Sequence, residues 1–353
     1  MFPSSLLAHR ARRIARRGPL AAMLAATVLV LAACTGAAAP LTSPSASAVA
    51  LATAAPAATA SRTPAPAFPT TITDDEGTAV TIPTEPTRVV SLTPAVTETL
   101  FAIGAGSTVV ATDDSSDHPA EAVALPDVVT FGTVDVERIV SLDPDLVIAG
   151  GAGFTSTEAI ARLRSLDIPV IVVSTPSIEG IYRDIELVGN AVGKTEAAIA
   201  LTATMRADMT AIGTVAQAAS AKSATPPRVF YDVGYIDTTG QIYGPGAGSF
   251  LAEMVGLLGV DVITGDPVTY EIPRDTLLER DPQVIILGVN AFYMPTAATI
   301  AKRTGWSALS AVKSGDVRAV SDTEITRPGP RLATGMRNLA LAMYPDLILP
   351  PAN

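Results

Sequence analysis

Cysteine occurs once in this 353-residue chain, at Cys34, and histidine only twice, at His9 and His118. A single thiol permits no disulfide within the chain, so the fold must rest on its apolar core. One cysteine and two widely separated imidazoles cannot supply the clustered ligands of a transition-metal centre. The spacings Gly-x-Ser-x-Gly and His-Glu-x-x-His are absent, which removes the serine-hydrolase elbow and the zinc-protease helix. No pair of acids stands out as a glycosidase couple. Aromatic residues make up only 5% of the chain, so any local gathering of rings is informative. No apolar run is long enough to read as a membrane span, because the run at 19–33 is closely followed by Cys34 and polar sequence.

What is present begins with Arg10, Arg12, Arg13, Arg16 and Arg17, a basic segment without acids, ahead of that apolar run. The pattern reads as an export signal over residues 1–33. Leu31-Ala-Ala-Cys34 resembles the bacterial lipoprotein signal, which implies cleavage before Cys34, acylation of its sulfur and retention on the extracytoplasmic face of a membrane. The alternative is an ordinary secretory signal with an incidental cysteine. The arginine pairs leave the general and twin-arginine export routes both open. Residues 34–68 are rich in Ala, Pro, Ser and Thr with one charge, Arg62, and read as a tether. Removing five arginines from 24 basic residues leaves 19 against 34 acids, a net charge of −15. Such a chain is unsuited to nucleic acid or to direct adsorption on an anionic membrane.

From residue 88 onward, short β-branched runs alternate with segments of helical period. Strands are predicted at 88–92, 109–111, 146–149 and 169–173, and helices at 95–103, 136–142 and 157–166. Near-continuous apolar strands between helices argue for a buried, mainly parallel sheet with helices on both faces. Ser177 is expected to cap a helix running to about residue 192. Thr195 and Glu196 are expected to open a second helix, 195–220, a rod of roughly 37 Å. A strand then restarts at 228–231. The segment 138–150 aligns without gaps to 276–288, each a helix end, an Asp-Pro turn and a strand, and Glu98 to Gly104 matches Glu253 to Gly259 more weakly. The expected architecture is therefore two Rossmann-like α/β lobes, 69–176 and 226–353, joined by a helical connection, 177–225, with one long bridging helix. The cleft at the strand ends is the default site.

Arg88-Val-Val-Ser-Leu-Thr-Pro-Ala-Val-Thr-Glu98, Asp117-His-Pro119, Val136-Glu-Arg-Ile-Val-Ser-Leu-Asp-Pro-Asp-Leu-Val-Ile148 and Arg327-Pro-Gly-Pro-Arg331 resemble the periplasmic-binding proteins for iron chelates and vitamin B12. The likeness runs in order over residues 88–347. It implies a monomeric carrier, without catalysis or a cofactor of its own, that delivers a metal chelate to an ABC permease dimer with its ATPase subunits. The implied ligand is a cobalamin-type corrinoid or a ferric siderophore, with haem or an envelope enzyme on the same fold as alternatives. By the same resemblance, Glu137 and, through the repeat, Asp275 are the acids that meet arginines on the permease. Glu271 and Glu279 stand near Asp275 as substitutes, and solvated helix-start acids are the plainer reading. Both acids are expected on the lobe surface, away from the strand ends.

The resemblance further places Phe131, Tyr243 and Arg327 against the ligand. It finds Ser115 and Gly150 where vitamin B12 carriers have aromatics, and Thr130 where haem carriers commonly have tyrosine. Tyr235 and Tyr270, with Phe292 and Tyr293, gather at loops and strand ends after the rod and suit a chelate surface as well as ordinary packing. Arg331 reads as a structural partner of a lobe carboxylate, and His118, without companions, as structural. Gly244-Pro-Gly-Ala-Gly-Ser249 lacks the lysine of a phosphate loop and reads as packing.

Overall fold

The two halves of the strand–helix pattern form two separate parallel sheets. The computed structural model describes residues 68–151, 153–174 and 176–353; the export segment, Cys34 and nearly all of the tether lie outside the described residues. A hairpin of β1 (Thr70–Thr73) and β2 (Ala79–Ile82) comes first. Then follow β3 (Val89–Ser91), α1 (Pro94–Ala102), β4 (Val109–Asp113), β5 (Asp127–Thr130), β6 (Thr133–Val134), α2 (Val136–Ser141), β7 (Leu146–Gly150), α3 (Thr157–Arg164) and β8 (Val170–Val173). Their sheet has the order β6-β5-β4-β3-β7-β8, parallel except for β6. Helices α4 (Ile178–Ala191) and α5 (Thr195–Ser220) carry the chain onward.

The second half contains β9 (Arg228–Asp232), β10 (Gly234–Ile236), β11 (Gln241–Tyr243), α6 (Phe250–Gly256), β12 (Asp261–Val262), β13 (Glu271–Ile272), α7 (Arg274–Arg280) and β14 (Val284–Val289). It ends with α8 (Ala297–Ile300), α9 (Ser310–Ser314), β15 (Val317–Ser321), α10 (Thr323–Thr326) and α11 (Leu332–Met343). Strands β12-β9-β14-β15 form a parallel sheet, while β10-β11-β13 make a small antiparallel one. Each parallel sheet reverses its strand order at its first strand, at β3 and at β9, the kind of switch point where open sheets bind ligands.

The internal repeat is closer in three dimensions than in sequence. Asp143 and Asp281, each before a proline, both take left-handed backbone, at φ 48° and 41°. Arg88 Nε donates to the carbonyls of Leu142 and Asp143 at 2.9 and 3.1 Å. Arg228 Nε donates to those of Arg280 and Asp281 at 2.7 and 3.2 Å. In both lobes an arginine at the start of the central strand thus satisfies the orphan carbonyls that end a helix. Asp145 and Gln283 close the same corner by accepting from the N–H groups of Arg88 and Arg228, at 3.0 Å each.

The long helix α5 buries Ala198, Met205, Met209, Ile212 and Ala216 at helical spacing, in a core shared with Ile181 and Ile185 of α4 and Met336 and Leu339 of α11. This is the bridge between two α/β lobes. One local expectation needs correcting. Thr195 does not cap α5, which begins after Lys194 with no side-chain cap, because its hydroxyl donates instead to Asn190 Oδ1 at 2.7 Å. Ser177 does cap α4, accepting from Gly180 N–H at 3.1 Å.

Candidate functional site

The C-terminal ends of the first lobe's strands converge on a cavity of about 450 Å³. Thr93 follows β3, Asp113 and Asp114 end β4, Gly150 ends β7 and Ser174 follows β8, and all line it together with Thr326, Arg327 and Pro328 of the second lobe. Buried hydroxyls hold these loops. Thr97 Oγ1 donates to Ser91 Oγ at 2.8 Å, and Ser116 Oγ donates to Asp113 at 2.6 Å and lies 2.9 Å from Thr97 Oγ1. Burial pushes the Asp113 carboxyl above its ordinary range, in spite of its bonds to Ser116 and the Ser115 N–H.

Arg327 crosses between the lobes. It donates to Glu98 at 3.0 Å, to Asp117 at 2.5 Å and to the Ser115 carbonyl at 3.0 Å. Arg331 grips the same Glu98 with bonds of 2.9 and 2.6 Å and reaches Glu324 at 2.9 Å. Glu98 is buried at the centre of this network. Partial burial opposes ionisation of Asp117, but the Arg327 hydrogen bond and the two guanidinium charges outweigh it, so its carboxyl stays below the usual range. Arg331 is thus the structural partner of a lobe carboxylate that its position suggested. His118 is exposed and sits beside Glu98 and Arg331 at a second cavity of about 530 Å³.

One lining residue belongs to a carboxyl pair. Asp184 of α4 lines the cavity and meets Asp75 from the turn of the β1–β2 hairpin. Burial first, then the charge and hydrogen bond of Asp75, push Asp184 up to about 8. Asp75 also accepts from Ser174 N–H at 2.6 Å, whereas Asp184 Oδ1 has no hydrogen-bond partner among the described residues.

Of the five residues that the sequence put against the ligand, Arg327 lines the cavity. Phe131 stands beside it, next to Gly132 of the lining. Its backbone is left-handed at φ 49°, its N–H donates to Asp114 at 2.7 Å, and its ring is 93% exposed. Tyr235 is otherwise engaged: Arg303 lies 4.1 Å above its ring, and Trp306 packs edge-on at 6.5 Å. Arg303 in turn bonds the buried Asp232 at 2.8 Å, which also accepts from Tyr293 at 2.7 Å. Tyr243 ends β11, half-buried, with its backbone opposite Gly234 and Glu271. Tyr270, left-handed at φ 60°, lays its ring over Gly246, where a Cβ would collide with it. The glycine loop before α6 is therefore packing.

Two exposed rings carry more than the sequence reading gave them. Phe154, 66% exposed, lines the cavity from the glycine-rich loop after β7. Phe292, 96% exposed, tops the loop after β14, which Asn290 pins by accepting from the N–H groups of Phe292 and Tyr293 at 2.8 and 2.9 Å. The signal in sequence was an aromatic a few residues past an apolar strand, Phe154 after 146–150 and Phe292 after 284–289.

Residues 89–323 match the model of the periplasmic binding protein family. The chain belongs to that family. A substrate-binding lipoprotein of an ABC transporter in Bacillus subtilis, YvrC, is 32% identical over 284 residues, 79% of this chain and 87% of YvrC. A cobalamin-binding protein of Halobacterium salinarum is 30% identical over 288 residues, covering 79% of this chain and 75% of its own length. The crystal structure of the vitamin B12 binding protein BtuF of Vibrio cholerae superposes with a TM-score of 0.61 at 26% identity, over 73% of this chain and 97% of BtuF. Within this periplasmic binding protein fold, Glu137 and Asp275 occupy equivalent first turns of α2 and α7, both exposed. Each helix feeds the starting end of a parallel strand, so its own first turn lies toward the strands' C-terminal edge. The two acids share the edge that carries the cleft, although neither lines the cavity.

Proposed function

We propose that this protein is the solute-binding component of an ABC importer that holds a cobalamin-type corrinoid in the cleft between its lobes. The observation that carries this reading is a set of uncovered rings at one edge of the molecule. Phe131 and Phe154 of the first lobe and Phe292 of the second are 93, 66 and 96% exposed. All three stand on loops that leave the C-terminal ends of parallel strands. Phe154 lines the cavity and Phe131 adjoins its lining residue Gly132; exposed aromatic surface on loops at strand ends suits a large, flat, mostly apolar ligand with a polar rim. The cobalamin- and vitamin B12-binding relatives support the corrinoid over a ferric siderophore. Thr130, where haem carriers commonly have tyrosine, speaks against haem.

Glu137 and Asp275, on the cleft-bearing edge, would meet arginines of a permease dimer while the ligand faces its entrance. Acyl groups on Cys34 would keep the carrier at the membrane, since two or more chains anchor stably. The carrier would act as a monomer, without catalysis. Purified protein titrated with cobalamin, a ferric siderophore and haemin, followed by visible absorption and calorimetry, tests the reading. Saturable recovery of unchanged cobalamin is the expected result. Binding of the siderophore alone would move the assignment within the family, and turnover of any ligand would end it.

A further inference from the structure

The charges that line the cavity are unbalanced. Its titratable lining groups are Asp113, Asp114, Asp184 and Arg327. The one cation is already spent: Arg327 donates to Glu98, Asp117 and the Ser115 carbonyl, and Arg331 beside it is taken by Glu98 and Glu324. Two arginines thus face three carboxylates before the lining aspartates are counted. Asp114 uses one oxygen to hold Phe131 N–H, and its charge remains unpaired by any guanidinium among the described residues. The polar lining offers acceptors in the Asp114 carboxylate and in hydroxyls such as those of Thr93 and Ser174.

We infer that this cavity selects a neutral chelate whose periphery donates hydrogen bonds, as primary amides do, and rejects chelates that carry carboxylates. The inference rests on the proposed role of this cleft as the ligand site and names the chemistry that the site accepts. Arg327, although a cation at the cavity, offers little to an anionic ligand because its donors are taken. A carboxylate placed here would meet the charge of Asp114, and Arg327, the one cation of the lining among the described residues, already donates elsewhere; like charges brought together at an interface are costly. An amide N–H₂ would instead find the acceptors that the lining offers. Asp184, pushed up to about 8 mainly by burial, holds its proton at pH 7 and adds no charge, so the unbalanced charge at the cavity is that of Asp114.

The test compares ligands of one shape and two charges on the full-length protein in detergent. The probes are cobinamide, whose ring side chains are amides, and cobyrinic acid, in which they are carboxylates. Affinities are read by tryptophan fluorescence and calorimetry at pH 7. Cobinamide is expected to bind at least about tenfold more tightly. Asp114→Asn, which keeps an acceptor for Phe131 N–H, should narrow that ratio several-fold with an unchanged melting temperature. Equal affinities, or tighter binding of cobyrinic acid, would overturn the inference while leaving the corrinoid reading intact. If neither corrinoid binds, the corrinoid reading fails. The charge rule is then judged on a neutral ferric trihydroxamate against ferric citrate, where preference for the neutral complex supports it and any other result, including no binding, overturns it.

Discussion

Asp184→Asn isolates the cost of keeping a carboxyl in the cavity wall. In the folded protein this group titrates near 8, against an ordinary value of 3.8. Between those values the folded state holds a proton that the unfolded chain has released. Stability is therefore greatest below pH 4 as far as this group is concerned, and falls as pH rises to about 8. Four units at 1.36 kcal/mol each set a ceiling of about 5–6 kcal/mol. Part of the group remains open to solvent, and its shift is shared with Asp75, so about 2–3 kcal/mol is the working figure. Asparagine keeps the shape and never ionises. The variant should match the parent near pH 4.5 and exceed it by about 2–3 kcal/mol at pH 9. Urea unfolding at half-unit intervals between those limits measures the gap, and other titrating groups cancel in the difference. Parallel stability curves for the two proteins would refute the argument, because they would mean that Asp184 is ionised in both states.

Glu98→Ala removes the carboxylate shared by two arginines at the lobe junction, leaving Arg327 to Asp117 and Arg331 to Glu324, and should cost about 3 kcal/mol, with Glu98→Gln roughly half as severe; thermal melts showing a loss below 0.5 kcal/mol would remove the network from the stability account. Phe131→Ala and Phe154→Ala should leave folding within about 0.5 kcal/mol, since their rings are exposed, while weakening corrinoid binding by about 1–3 kcal/mol; unchanged affinity in both would dissolve the proposed rim. Glu137→Arg combined with Asp275→Arg should preserve ligand affinity and abolish uptake in reconstituted vesicles, and full uptake by that double variant ends the docking assignment. Cys34→Ala should abolish partition into detergent, a result checked by phase separation of cell extracts.

The central strands were legible because burial on both faces writes them as unbroken apolar runs, as in Val284–Val289. The repeat was legible through its Asp-Pro turns, although the arginines that lock the two corners were not weighed. The β1–β2 hairpin and the β10-β11-β13 sheet escaped notice. Their strands are two to four residues long, and β11 pairs Ile242 with the distant Ile272, so neither period nor flanking turns mark them. The same distance hid much of the site. Asp75 reaches Asp184 only because the hairpin folds onto the end of β8, and Glu98 lies 229 residues from Arg327 in sequence. Phe154 stands alone in its glycine-rich loop, without the clustering that marks the rings of the second half, where Tyr235 lies under Arg303 and Tyr270 covers Gly246 while staying half exposed.

The double grip on Glu98 sets a threshold for release. To part, the lobes would have to pull one buried carboxylate out of two guanidinium groups at once. Opening the cleft therefore carries the cost of breaking both contacts together. A partner that supplies its own arginine near Glu98, or draws Asp117 off Arg327, would lower that threshold in steps. The carrier then behaves as a latched box whose key is electrostatic, and its unloading rate should follow ionic strength more steeply than its loading rate does.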